Sequence, residues 1–82
     1  MRNPMMEITI LRILNRVNTG LKEKTLQAET EIAIDRPTLT SDEFTDTLIA
    51  LEDRALVRNR KNLIGETVWG ITEAGKAALK GV

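Results

Sequence analysis

The sequence predicts a small α+β domain, mostly helical, with three helices, a two-stranded antiparallel hairpin and a short last helix. Three observations carry that expectation. Thr40-Ser41-Asp42-Glu43 is a capping box, and apolar residues recur at helical spacing behind it. In 66–71, Thr67, Trp69 and Ile71 alternate with Glu66, Val68 and Gly70, the period of a strand. At 82 residues and 41% apolar composition, folding hides roughly 60–65% of the unfolded surface, enough for one core and little room for a deep cleft. The chain therefore reads as one domain over 1–82.

Asn3-Pro4 is an N-cap followed by proline at the first helical position, where a missing N–H costs nothing. Met6, Ile10, Ile13 and Val17 then share one face, and Asn18-Thr19-Gly20 supplies the stop. Ile8 and Leu11 lie off that stripe, which points to a second contact within the fold or with a partner. A helix over about 22–33 places Leu21, Thr25, Ala28 and Ile32 on its main face and Leu26 with Ala33 on a weaker one. Asp35-Arg36-Pro37 ends it, because residues before proline avoid the helical region.

The third helix spans about 41–53. Leu39 and Phe44 form a hydrophobic staple, and Phe44, Leu48 and Leu51 face inward. Strands follow over 56–60 and 66–71, joined by Lys61-Asn62-Leu63-Ile64-Gly65. Thr72 caps a last helix that runs to Lys80.

Composition argues against several function classes. There is no cysteine and no histidine, so disulfides, thiolate chemistry and the commonest bases and zinc ligands are missing. Ser41, the sole serine, belongs to a helix start. The pair Asp42 and Asp46 could act as acid and base or hold a hard cation, but on an exposed helix face such pairs are far more often solvated. No enzyme, metal or cofactor is expected. The run from Gly70 to Ala77 nearly spells a phosphate-binding loop. It has alanine where a hydroxyl must hold magnesium, and Glu73 inside the cradle. The apolar stretch 8–14 is short and interrupted by Arg12, and no signal-peptide pattern precedes it. The expectation is a cytoplasmic protein with no membrane partner.

Charge is balanced, with 12 basic and 12 acidic residues, but it is not evenly spread. Opposite Phe44, Leu48 and Leu51 lie Asp42, Asp46, Ile49 and Asp53. Arg54, Arg58, Arg60 and Lys61 then form a run with no acid between them, and Asn59 and Asn62 add hydrogen-bonding capacity. Arg58 and Arg60 project from one face of their strand. Two readings stay open: a phosphate-contacting edge, or a solvated strand paired with the acids of the preceding helix. Trp69 is expected in the core more than at a base or partner.

Leu48-Ile49-Ala50-Leu51-Glu52-Asp53-Arg54-Ala55-Leu56-Val57 resembles the helix-to-strand passage of winged-helix domains, which usually has a leucine-rich helix end, a glycine and a Leu-Val pair. Trp69-Gly70-Ile71-Thr72-Glu73-Ala74-Gly75 is similar to the aromatic-x-Leu-Thr-x-x-Gly run that leaves the wing in many bacterial transcription regulators. The resemblance covers the second half closely and the first half by element order. It implies a winged helix in which 41–53 is the recognition helix and 58–66 the wing. The chain departs from the pattern in three places. The stretch 35–39 is longer than the usual turn, Ala55 stands where glycine is common, and the implied recognition helix is acidic outward. A left-handed backbone at Ala55 would cost ~1 kcal/mol.

Two functions follow from the resemblance and the charges together. In the first, double-stranded DNA is the partner: Arg54, Arg58, Arg60 and Lys61 hold phosphates, Asn62 adds hydrogen bonds, and Thr45 and Ile49 reach the groove. In the second, Asp42, Asp46, Asp53 and Ile49 dock a basic protein partner. Ile8 and Leu11 could support a homodimer, which would let a weak reader span two half-sites.

Overall fold

A computed structural model describes residues 4–17, 19–34 and 40–81. The expected cap at Asn3, the stop at Asn18, the Asp35-Arg36-Pro37 terminator and the Leu39 half of the staple lie outside those residues. The elements are α1 (Pro4–Asn15), β1 (Leu21–Lys22), α2 (Glu23–Ile34), α3 (Ser41–Asp53), β2 (Val57–Lys61), β3 (Thr67–Ile71) and α4 (Glu73–Lys80). The expected order of three helices, hairpin and last helix stands, with one added strand.

α1 is the hub. It packs on α2, α3, α4 and β3, and Met6, Ile10, Leu11, Ile13 and Leu14 are all buried. A helix enclosed on several sides needs more than one apolar stripe. That is why Leu11 turns into the core: its second contact is within the fold, which corrects its alternative use toward a partner. Ile8 is only half-buried, and Val17 sits half-buried beyond the helix end.

The sheet order is β1-β3-β2, all antiparallel. β1 was not expected, since two residues carry no alternation. It exists through pairing, with Leu21 opposite Trp69 and Lys22 opposite Val68. Gly20 makes the approach possible: its φ is +85°, and a Cβ there would lie 2.8 Å from the Trp69 carbonyl oxygen. Trp69 is therefore central, flanked by Leu21 on one side and Asn59 on the other. It is buried, and its ring N–H donates to Glu23 Oε1 at 3.0 Å, the partner a buried indole needs.

The face expected of α2 is corrected. Thr25, Ala28 and Ile32 point to solvent, Ile32 being 82% exposed, and the buried side is Leu26 with Thr30. Thr30 Oγ1 donates to the Leu26 carbonyl at 2.7 Å. A hydroxyl satisfied by its own helix can be buried without the cost of an orphaned donor.

α3 is built as expected. Thr40 caps it, its Oγ1 accepting from Glu43 N–H at 3.1 Å, and Phe44, Leu48 and Leu51 are wholly buried. The chain leaves α3 through Ala55, whose φ of 59° is the left-handed conformation expected of a glycine there. β2 then pairs with β3 from Val57 opposite Ile71 to Lys61 opposite Thr67.

Thr72 caps α4, its Oγ1 accepting from Gly75 N–H at 3.0 Å. A Cβ on Gly75 would come within 2.2 Å of the Leu56 carbonyl oxygen, so this glycine lets α4 dock on the α3–β2 connection. No described helix is long and apolar enough to cross a membrane.

Candidate functional site

Two outward surfaces flank the core, and they carry opposite charge. On α3, Asp42, Asp46 and Asp53 are exposed, Ile49 is 47% exposed and Thr45 is half-buried. Asp42 lies in the first turn, where a negative charge suits the helix dipole. Asp53 is the last helical residue, and the last turn of α3 carries no basic side chain, the C-cap Arg54 being turned to Glu7. A carboxylate there opposes the dipole.

The basic surface belongs to β2. Directly opposed residues of antiparallel strands share a face. Asn59 therefore lies on the Trp69 side and Arg58 and Arg60, opposite Gly70 and Val68, on the outer side. Arg60 Nη2 donates to the Thr19 carbonyl at 2.9 Å, which orients its guanidinium and leaves other donors open. Among the described residues the Arg58 side chain has no hydrogen bond or ion pair. Pairing with the acids of α3, the alternative reading of these arginines, does not occur. Only Asn59 reaches back to that helix, donating its amide to Glu52 Oε2.

Other residues of the expected set have structural duties. Arg54 Nη1 lies 2.8 Å from Glu7 Oε1, and the Glu7 side chain is almost fully buried while Arg54 is 44% exposed. A carboxylate held inside a core needs this cation, so Arg54 clamps α1 to the end of α3, a duty beside the phosphate contact expected of it. Asn62 has such a duty as well. Its Oδ1 accepts from the N–H groups of Ile64 at 3.1 Å and Glu66 at 2.9 Å, while its Nδ2 donates to Glu66 Oε1 at 3.2 Å. It shapes the wing loop and has little left to offer a groove. Lys61 Nζ donates to Thr67 Oγ1 at 2.9 Å across the hairpin but remains exposed.

Glu66 closes the loop from the other side. Its carboxylate pairs with Lys22 Nζ at 3.1 Å. The Asn62 hydrogen bond first, and then Lys22 by hydrogen bond and charge, hold its carboxyl below the ordinary glutamate value, against a small desolvation effect. The loop tip itself is apolar, with Leu63 and Ile64 standing free in solvent.

The sequence also pointed past one residue. Lys76 belongs to this basic surface: it lines the same pocket as Arg58, Arg60 and Gly70. Its place one turn after the Thr72 cap was legible, but only as a failed phosphate-loop lysine.

Neither a protein-family model nor a curated protein matches the sequence. Among solved structures, the chain is similar to one described as a transcriptional regulator of the MarR family from Silicibacter pomeroyi. The TM-score is 0.75 at 21% identity, over 93% of this chain and 47% of that one. The chain thus spans about half the length of the protein it matches. At this identity the likeness speaks for the fold, and the fold is a winged helix: α1, α2 and α3 form the helical core, β2 and β3 the wing, with α4 behind.

Proposed function

We propose that this chain is a DNA-binding module of transcription-regulator type that acts without catalysis, through phosphate contacts from its wing. Arg58 and Arg60 hold the duplex backbone, Lys61 adds charge from the other face of the same strand end, and Thr45 and Ile49 of α3 face the groove. One observation carries the reading: two arginines share the outer face of an edge strand, and no acid neutralises either of them among the described residues. A charged edge strand also discourages sheet-to-sheet pairing, but that task needs neither two arginines in register nor a lysine arriving from another helix. The carboxylates of α3 would repel a phosphate-lined groove, so binding is led by the backbone and reads sequence weakly.

The test is a duplex titration at low salt with the Arg58→Glu, Arg60→Glu double variant beside the wild type. Two to three phosphates neutralised per chain predict that log K falls with log salt at a slope of about −2 to −3. The double variant should lose binding altogether. If the wild-type protein shifts no duplex at low ionic strength, DNA is not its partner.

A second reading is favoured by Ile49, an exposed apolar side chain among three carboxylates on α3. It makes this face the dock for a basic protein partner. Asp46→Lys with Asp53→Lys should then release that partner while Arg58→Glu does not. A homodimer through Ile8 would lack its second residue, since Leu11 is buried.

A further inference from the structure

We propose that the outer face of the sheet carries a discrete seat for one phosphate group, built by Arg58, Arg60 and Lys76 over Gly70. As a seat for a duplex phosphate it rests on the reading above; as a seat for a free phosphate or a phosphomonoester it stands without it.

The pocket has a volume of about 210 Å³ and is lined by Arg58 and Arg60 of β2, Gly70 and Ile71 of β3, Lys76 of α4, and Val17, Thr19 and Gly20. Ligand pockets for drug-sized molecules begin near roughly 300 Å³, so this one suits a group of a few heavy atoms. Its lining holds three cations and no carboxylate. Like charges gathered around one concavity repel each other, and an anion of charge near −2 relieves that repulsion better than a monoanion. This favours phosphate over a simple carboxylate.

The surroundings keep these groups available. Arg60 is steadied by the Thr19 carbonyl, and Arg58 has no partner among the described residues. Among the described residues Lys76 pairs with Glu73, 3.5 Å from Nζ on the same helix and 93% exposed. An exposed pair of that kind is worth little and yields to a better ligand. Gly70, directly opposite Arg58, leaves open space where a side chain would stand: a Cβ there would meet nothing within 4 Å. Its backbone is not left-handed, so a larger residue can be placed there without strain. The glycine keeps the floor of the pocket clear.

The experiment is an amide-shift titration of the whole chain with sodium phosphate at about pH 7.5, where the dianion predominates, against sodium chloride at matched ionic strength. Saturable shifts at Gly20, Gly70 and Ile71 are expected, with Kd on the order of 1 mM. Gly70→Leu, which fills the floor, and Lys76→Gln, which removes one cation, should each weaken binding about tenfold or more. Far-UV circular dichroism and Tm verify that each variant folds; Gly70→Ala replaces Gly70→Leu if it does not. A phosphate response no different from chloride overturns the proposal, and so does a saturable response that both variants leave intact. Running the same variants in the duplex titration separates the sources. Parallel loss assigns the seat to a backbone phosphate, and loss of phosphate alone assigns it to a free one. A wild-type protein that binds phosphate but no duplex sinks the DNA reading and leaves this one standing.

Discussion

The outer face of α3 and the outer face of the sheet sit on the same core, yet they are finished in opposite ways. Inward, Phe44, Leu48 and Leu51 of α3 and Trp69 and Val57 of the sheet are all buried together. Outward, α3 shows Asp42, Asp46 and Asp53 around Ile49, while the sheet shows Arg58 and Arg60 with Lys76 close by. Zero net charge therefore conceals a polarised molecule. Core burial decides which side of each element is hidden, and it leaves the visible side to be set by whatever the surface must meet. The sheet face gathers three cations, of which Arg58 has no side-chain partner among the described residues, whereas α3 carries at Asp53 a charge its own dipole disfavours.

Removing the shared core has the largest effect. Trp69→Ala should cost about 3–5 kcal/mol, a large part of the ~5–15 kcal/mol that stabilises a domain, and both faces should dissolve in one cooperative urea transition. Separate transitions for α3 and the hairpin would show that the faces do not rest on one core.

Reversing the acidic face sharpens the contrast. If α3 approaches a duplex, Asp46→Lys with Asp53→Lys should tighten binding about tenfold, and the salt dependence should steepen by one to two charges, roughly. Unchanged duplex affinity would place α3 away from DNA and strengthen its reading as a protein dock.

Ala55 lies in the turn where the two faces meet, with φ at 59°. Ala55→Gly relieves roughly 1–2 kcal/mol of left-handed strain and gives back about 0.4–1 kcal/mol in unfolded-chain entropy. A net gain of about 0.5 kcal/mol should raise Tm by about 2–4 °C; a fall in Tm would mean the alanine is not strained.

The smallest effect concerns the wing loop. Glu66 is held below its ordinary value, so the carboxylate favours the folded loop above about pH 4.5, and that contribution is lost as pH falls through the lower folded value. Acidification through this window should lower the Tm of the wild-type protein more than that of Glu66→Gln. Parallel curves would show that the Asn62–Glu66–Lys22 contacts do not hold the wing.

Local signals were legible and distant ones were not. The start of α3 could be read because a cap, its hydroxyl and an apolar stripe lie within a few residues of each other. The buried face of α2 is hidden from sequence because Thr30 satisfies its hydroxyl on the Leu26 carbonyl of its own helix, so a polar letter marks a buried position. The second contact of Leu11 stays open between the fold and a partner in sequence because α1 is enclosed by four elements that no single stripe reveals. β1 is two residues of pairing contributed by Trp69 and Val68, with no pattern of its own.

The sequence by itself determined the order of helices and hairpin, the inward set of α3, the central role of Trp69 and the segregation of charge between α3 and the wing. Tertiary structure alone decided which cations remain free: Arg54 is claimed by Glu7, 47 residues away, Arg60 is steadied by Thr19, 41 away, and Lys76 joins Arg58 across Gly70. Caps and periodicities act within a turn or two of backbone, but an ion pair or a pocket depends on which elements pack together.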